Sequence, residues 1–99
     1  MHKELSDLFD QGIDFISTML VGKQIIEAEF GSFEKYDDYM HWLKKIDMYA
    51  KKNFSNHPAT QLLDSSFNRI DFGCPNLLHE HQVVMDLILQ LIRYDYRHQ

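Results

Sequence analysis

Near the start of the chain, Leu5, Leu8, Phe9, Ile13, Ile16, Met19 and Leu20 recur at three- and four-residue steps. On an α-helix that spacing gathers them on one stripe, and Asp7, Asp10, Asp14 and Ser17 fall largely opposite. The pattern predicts a first helix from Lys3 to about Gly22, with Gly22 as a natural C-terminal stop. Gly12 and Phe15 sit off the stripe, and a glycine inside a helix costs about 1 kcal/mol relative to alanine. Residues 23–30 either continue this helix after a kink or form a short connector. Gly31-Ser32 then breaks the chain, and Ser32 is suited to cap a second helix.

That second helix is predicted from Phe33 to about Asn53. Tyr36, Tyr39, Met40, Leu43, Ile46 and Ala50 form its stripe, with Trp42 and Tyr49 flanking it. Glu34, Asp37 and Asp38 lie near its start; Lys44, Lys45, Lys51 and Lys52 lie in its second half. That order complements the helix dipole. Asn53 to Pro58 reads as a loop, and Pro58 fits the first position of a short third helix, about Pro58 to Ser66. Residues 68–76, with Gly73 and Pro75, read as irregular. The last helix runs from Pro75 or Asn76 to about Tyr96. Leu77, His81, Val84, Ile88, Leu91 and Asp95 fall on one line, and Leu78, Met85 and Ile92 lie beside it. Leu87 and Leu89 widen this apolar face, which implies packing against two neighbours or a second copy of the chain. The expected fold is all-α: one domain over residues 1–99, a compact bundle of three long helices plus one short helix.

Composition supports one real core. The 99 residues are 44% hydrophobic and 13% aromatic, enough to fill it, while four Gly and two Pro are too few for a turn-rich all-β design. A formal charge of −5 disfavours nucleic acid as the default ligand. Cys74 is the single cysteine, so no disulfide can form within the chain and a reducing cytoplasm is the expected compartment. The N-terminus carries Asp7, Asp10 and Asp14 where a signal peptide would be basic and then apolar. The apolar runs fall short of the roughly 20 residues of a membrane span. Neither export nor membrane insertion is expected.

Chemistry-bearing residues are present without a constellation. His79-Glu80-His81 sets two histidines at i,i+2, about 200° apart on a helix, where they cannot chelate one ion together. They read as partly exposed or capping histidines. Asp37 and His41, one turn apart, read as a surface interaction rather than an oriented base, because no nucleophile or oxyanion donor is identifiable nearby. Asp71-Phe72-Gly73 matches the kinase metal-binding tripeptide, but a three-residue match without a Gly-rich loop or catalytic loop is a turn. Cys74 lacks an evident activating base. No catalytic residue, metal ligand, cofactor or small-molecule substrate is expected.

What remains is surface. Lys44, Lys45, Lys51 and Lys52, interleaved with Trp42, Tyr49 and Phe54, would serve a nucleic-acid-binding regulator, the alternative reading. The aromatic set on the second helix exceeds what one helix turns inward, and exposed Tyr and Trp dominate protein interfaces. Tyr36, Tyr39, Trp42, Tyr49, Leu87 and Leu89 are therefore the expected partner-binding residues. The pattern Tyr39…Trp42-Leu43…Ile46…Ala50…Asn53-Phe54, then Ser55-Asn56-His57-Pro58 and Phe67, resembles helical accessory segments of prokaryotic antiphage and abortive-infection proteins. The resemblance covers residues 33–72. In those proteins the segment precedes or accompanies an effector domain, and none follows within these 99 residues. No catalytic residue carries over. The resemblance implies a small immunity, antitoxin or counter-defence protein that binds an effector. The expected function is a non-catalytic module that inhibits or adapts a larger protein partner, with a structural homodimer as a further alternative.

Overall fold

The hydrophobic stripes become four helices: α1 (Lys3–Val21), α2 (Tyr36–Asn53), α3 (Pro58–Phe72) and α4 (Leu77–Arg97). The computed structural model describes residues 3–21, 36–73 and 76–97, with side chains for 3–16, 37–73 and 76–97. Gly22, the ambiguous stretch 23–30, Ser32, Phe33, Glu34, Cys74 and Pro75 lie outside the described residues, as do the side chains of Met19, Leu20 and Tyr36. The described residues contain no strand. No described helix is long and apolar enough to cross a membrane.

The third helix departs from expectation, running on to Phe72 instead of stopping near Ser66. Ser65, Ser66 and Asn68 are weak helix formers, but tertiary packing overrides them. Ala59, Leu63, Ser66 and Ile70 are all buried along one face. Gly73, at φ 110°, closes the helix, its N–H donating to the carbonyls of Arg69 and Ile70. Asp71 and Phe72 are thus the end of a helix, and Gly73 its cap. At the other end the Ala59 N–H donates to His57 Nδ1 at 3.0 Å, and Pro58 takes the first turn as expected. The Phe54 carbonyl accepts from the His57 N–H and from the Thr60 hydroxyl at 2.6 Å, which fixes the turn between α2 and α3. Asn76 caps α4, accepting from the His79 N–H at 3.0 Å.

All four helices feed one core: Leu5 and Leu8 of α1, Leu43 and Ile46 of α2, Leu63 and Ile70 of α3, and Val84, Ile88 and Leu91 of α4. The broad face of α4 packs mainly against two neighbours, α1 and α3. Arg69 Nε donates to Glu80 at 3.2 Å on the α3 side, and Met85 meets α1 at Gly12. Gly12 therefore has a reason that helix propensity does not supply. A Cβ there would collide with the Met85 sulfur and stand 2.7 Å from Trp42 Cζ2. Phe15, off the predicted stripe, reaches α2 and packs edge-on against Tyr39 with centroids 5.2 Å apart. Ile13, on the predicted stripe, is instead exposed. Among the described residues, the α1–α2 seam is the most sparsely packed of the four main helix pairs.

Candidate functional site

The expected partner-binding residues divide on burial. Tyr39 is wholly buried, Trp42 and Leu87 nearly so, and all three belong to the core rather than to a surface. The expectation that they face a partner is corrected by what they hold together. Trp42 Nε1 donates to the Leu8 carbonyl of α1 at 2.8 Å, and its ring lies against Phe15 and His81. Tyr49 and Leu89 are half-buried and keep an accessible edge. The side chain of Tyr36 lies outside the described residues.

His81 is the residue most misread from sequence: it is fully buried, not a surface histidine. Its Nε2 lies 2.8 Å from the Gly12 carbonyl oxygen, and its Nδ1 lies 2.8 Å from the Tyr39 hydroxyl. A carbonyl can only accept, so Nε2 carries the proton and Nδ1 accepts from Tyr39. One neutral tautomer thus satisfies α1, α2 and α4 together. Burial pushes the imidazole below its usual pKa, and the Gly12 hydrogen bond pulls the other way without winning. The signal was present in the sequence, since His81 stands in line with Leu77, Val84, Ile88 and Leu91. This is a structural histidine. His79, two residues away, is exposed on another side of the helix. Among the described residues no group of three or more His, Cys, Asp or Glu could hold a metal ion.

The four lysines do not make one open basic face. Lys51 turns toward α3, where its ammonium lies 2.8 Å from Asp64 and 3.0 Å from Asp47. Those hydrogen bonds, Asp64 first, raise its pKa. The second oxygen of Asp47 is buried and has no hydrogen-bond partner among the described residues. Lys45 and Lys52 turn the other way, into the α1–α2 seam. Lys44 is exposed.

That seam is a groove in two continuous stretches. The first, about 540 Å³, lies between Glu4, Asp7, Leu8 and Gln11 of α1 and Lys45, Met48, Tyr49 and Lys52 of α2. The second, about 400 Å³, adds Asp14 and Phe15 of α1 and Asp38, His41 and Trp42 of α2, and shares Gln11 and Lys45 with the first. The start of α1 meets the end of α2, so the two helices run antiparallel. Three- and four-residue spacing explains the walls: Glu4, Asp7, Gln11 and Asp14 form one line on α1, and Asp38, His41, Lys45, Met48 and Lys52 form one on α2. The floor is apolar, with Leu8 and Trp42 buried and Phe15 and Tyr49 half-buried. Met48 is 61% exposed on the rim, a large apolar side chain held in water. The Tyr49 phenol has its pKa raised by burial first and then by Glu4 and Asp95, which registers the acidic α1 wall beside it.

Sequence reasoning found Tyr49 and the lysines but missed Glu4, Asp7, Gln11, Met48 and the pairing of the two helices. Both polar lines were legible as heptad-like spacing; their juxtaposition was not. An aromatic floor between a wall rich in carboxylates and one bearing lysines suits an amphipathic helix laid lengthwise. No protein-family model, curated protein or solved structure matches this chain.

Proposed function

We propose that this chain is a non-catalytic protein-binding module that inhibits or adapts a larger partner by receiving a helix in the α1–α2 groove. The observation that carries this reading is the groove itself: Met48 exposed on its rim, Tyr49 half-buried in its floor, and charged residues along both walls. An apolar floor flanked by charged residues, with one large apolar side chain exposed beside it, is the anatomy of a docking surface. Resemblance to accessory segments of antiphage proteins would place the partner among defence or toxin effectors. Tyr39, Trp42, Leu43, Ile46, Ala50 and Phe54, which carry that resemblance, are core positions here, so it bears on how the helices pack rather than on what they touch.

The test compares proteins captured from the native host by the wild type, by Met48→Glu in the groove and by Leu62→Glu on α3. Both substituted residues are more than half exposed, so both variants should fold. The expected result is a specific partner retained by Leu62→Glu and lost by Met48→Glu. A partner held equally by both variants would overturn the assignment to the groove.

A further inference from the structure

Between the two walls of the groove the charge is not evenly spread, and the asymmetry bears on what fits. Toward the start of α1, Glu4 and Asp7 stand on one wall and Lys52 on the other, while Lys45 stands farther along, level with Gln11, where the two stretches of the groove meet. All four are exposed. We infer that the groove is self-complementary and docks a second copy of this chain, with a two-fold axis lying along the seam parallel to the helices. This rests on the groove being a protein-docking surface, and it names an occupant for it.

The geometry follows from the symmetry. Rotation about an axis along the seam exchanges left and right but leaves height unchanged. It sets α1 of each copy over α2 of the other, so Glu4 and Asp7 face the partner's Lys52 and Gln11 faces the partner's Lys45, once on each side of the axis. The other face-to-face arrangement, with the axis across the helices, would set α1 on α1 and bring carboxylate against carboxylate. Charge therefore selects one orientation and opposes the other. Met48, on the lysine wall, then lies over the partner's α1 and the floor beneath it. Its flexible thioether suits an irregular aromatic surface. At the far end Asp14 meets the partner's Asp38, so the attraction is concentrated at the Glu4 end.

The size of the interface sets its strength. From Glu4 to Phe15 the helix rises about 16 Å, and two helices side by side are roughly 20 Å wide. That footprint, about 320 Å² per copy, is less than half the roughly 800 Å² per partner of a standard interface, which implies a weak, transient dimer whose orientation is set by charge rather than an obligate one. Self-docking and partner capture then compete for one surface.

Sedimentation velocity from about 1 µM to about 1 mM should show a monomer–dimer equilibrium. Lys45→Glu with Lys52→Glu makes both walls acidic, and Glu4→Lys with Asp7→Lys makes both basic. Each doubly substituted protein should weaken self-association about tenfold or more, and mixing the two should restore a dimer containing one of each. Circular dichroism checks that all remain helical. A wild type that stays monomeric throughout, or a dimer indifferent to both charge changes, overturns the inference. Loss of a host partner from the Met48→Glu protein, with a monomeric wild type, would retain the groove as a docking surface and assign it to a foreign helix.

Discussion

Where α4 meets α1, a buried histidine, a glycine and a methionine draw the helices together. Where α1 meets α2, charged side chains stand on both rims and leave a groove. Both seams use polar residues, and the difference lies between buried polar atoms with fixed partners, the Trp42 indole beneath the groove included, and charged groups left exposed on the rims. His81 has two ring nitrogens and two partners, so its burial leaves nothing unsatisfied. Glu4, Asp7, Lys45 and Lys52 keep their water, and the helices that carry them cannot close over it. The closed seam gives the bundle its shape, and the open one leaves a groove along its surface.

The comparison breaks most severely at His81. Replacement by Ala leaves a cavity and strips hydrogen bonds from the Tyr39 hydroxyl and one lone pair of the Gly12 carbonyl. The expected loss is about 3–5 kcal/mol in urea unfolding. A loss below about 1 kcal/mol would show that water replaces the ring and that the seam is less dry than its geometry indicates. Gly12→Ala comes next. Helix propensity alone predicts a gain of about 1 kcal/mol, whereas the clash with Met85 and Trp42 predicts a loss of about 1–3 kcal/mol. The sign of the measured change decides whether α1 is held tightly against its neighbours or can back away. Relief by a second substitution, Met85→Ala, would locate the clash.

Acid probes the same seam without mutation. The folded pKa of His81 lies below its unfolded value of 6.5, so the unfolded chain binds the proton more readily. The histidine's contribution is fully present above pH 6.5 and declines as pH falls below it, levelling off once the folded pKa is passed. The limiting slope is about 1.4 kcal/mol per pH unit. Urea midpoints at pH 7.5, 6.5 and 5.5 should fall in that order. In His81→Gln, whose amide can still donate to Gly12, this component of the slope should vanish.

Much of the bundle could be read from spacing alone. The line Leu77, His81, Val84, Ile88, Leu91 is buried throughout, and the C-terminal end of α2 and the Pro58 start of α3 fall where turn and cap chemistry put them. The end of α3 could not be read, because Ser66 and Asn68 argue locally against helix and only Ile70 meeting the core argues for it. Gly12 looked like a defect for the same reason: the atoms that require it, Met85 and Trp42, come from other helices. Tyr39 and Trp42 suggested an interface because one helix cannot turn so many rings inward, yet Phe15 and His81 arrive from α1 and α4 to enclose them. Periodicity assigns a residue to a face. Which faces meet, and which are left open, depends on contacts distant in sequence.

The smallest expected effect on stability, and the sharpest separation of the two seams, is at Met48. Its side chain is 61% exposed, so truncation in Met48→Ala removes little buried area and should change the urea midpoint by no more than about 0.5 kcal/mol equivalent. If Met48 folds over Tyr49 and Leu8 against an occupant, the same truncation should weaken docking about threefold to tenfold, because the exposed thioether would lose the apolar area it buries only on docking. His81→Gln should do the reverse, lowering stability while leaving docking unchanged at temperatures where the bundle stays folded. A Met48→Ala protein that loses stability as well as binding would mean the rim is held in the fold more firmly than its exposure indicates. The open seam would then be part of the same closed structure as the other.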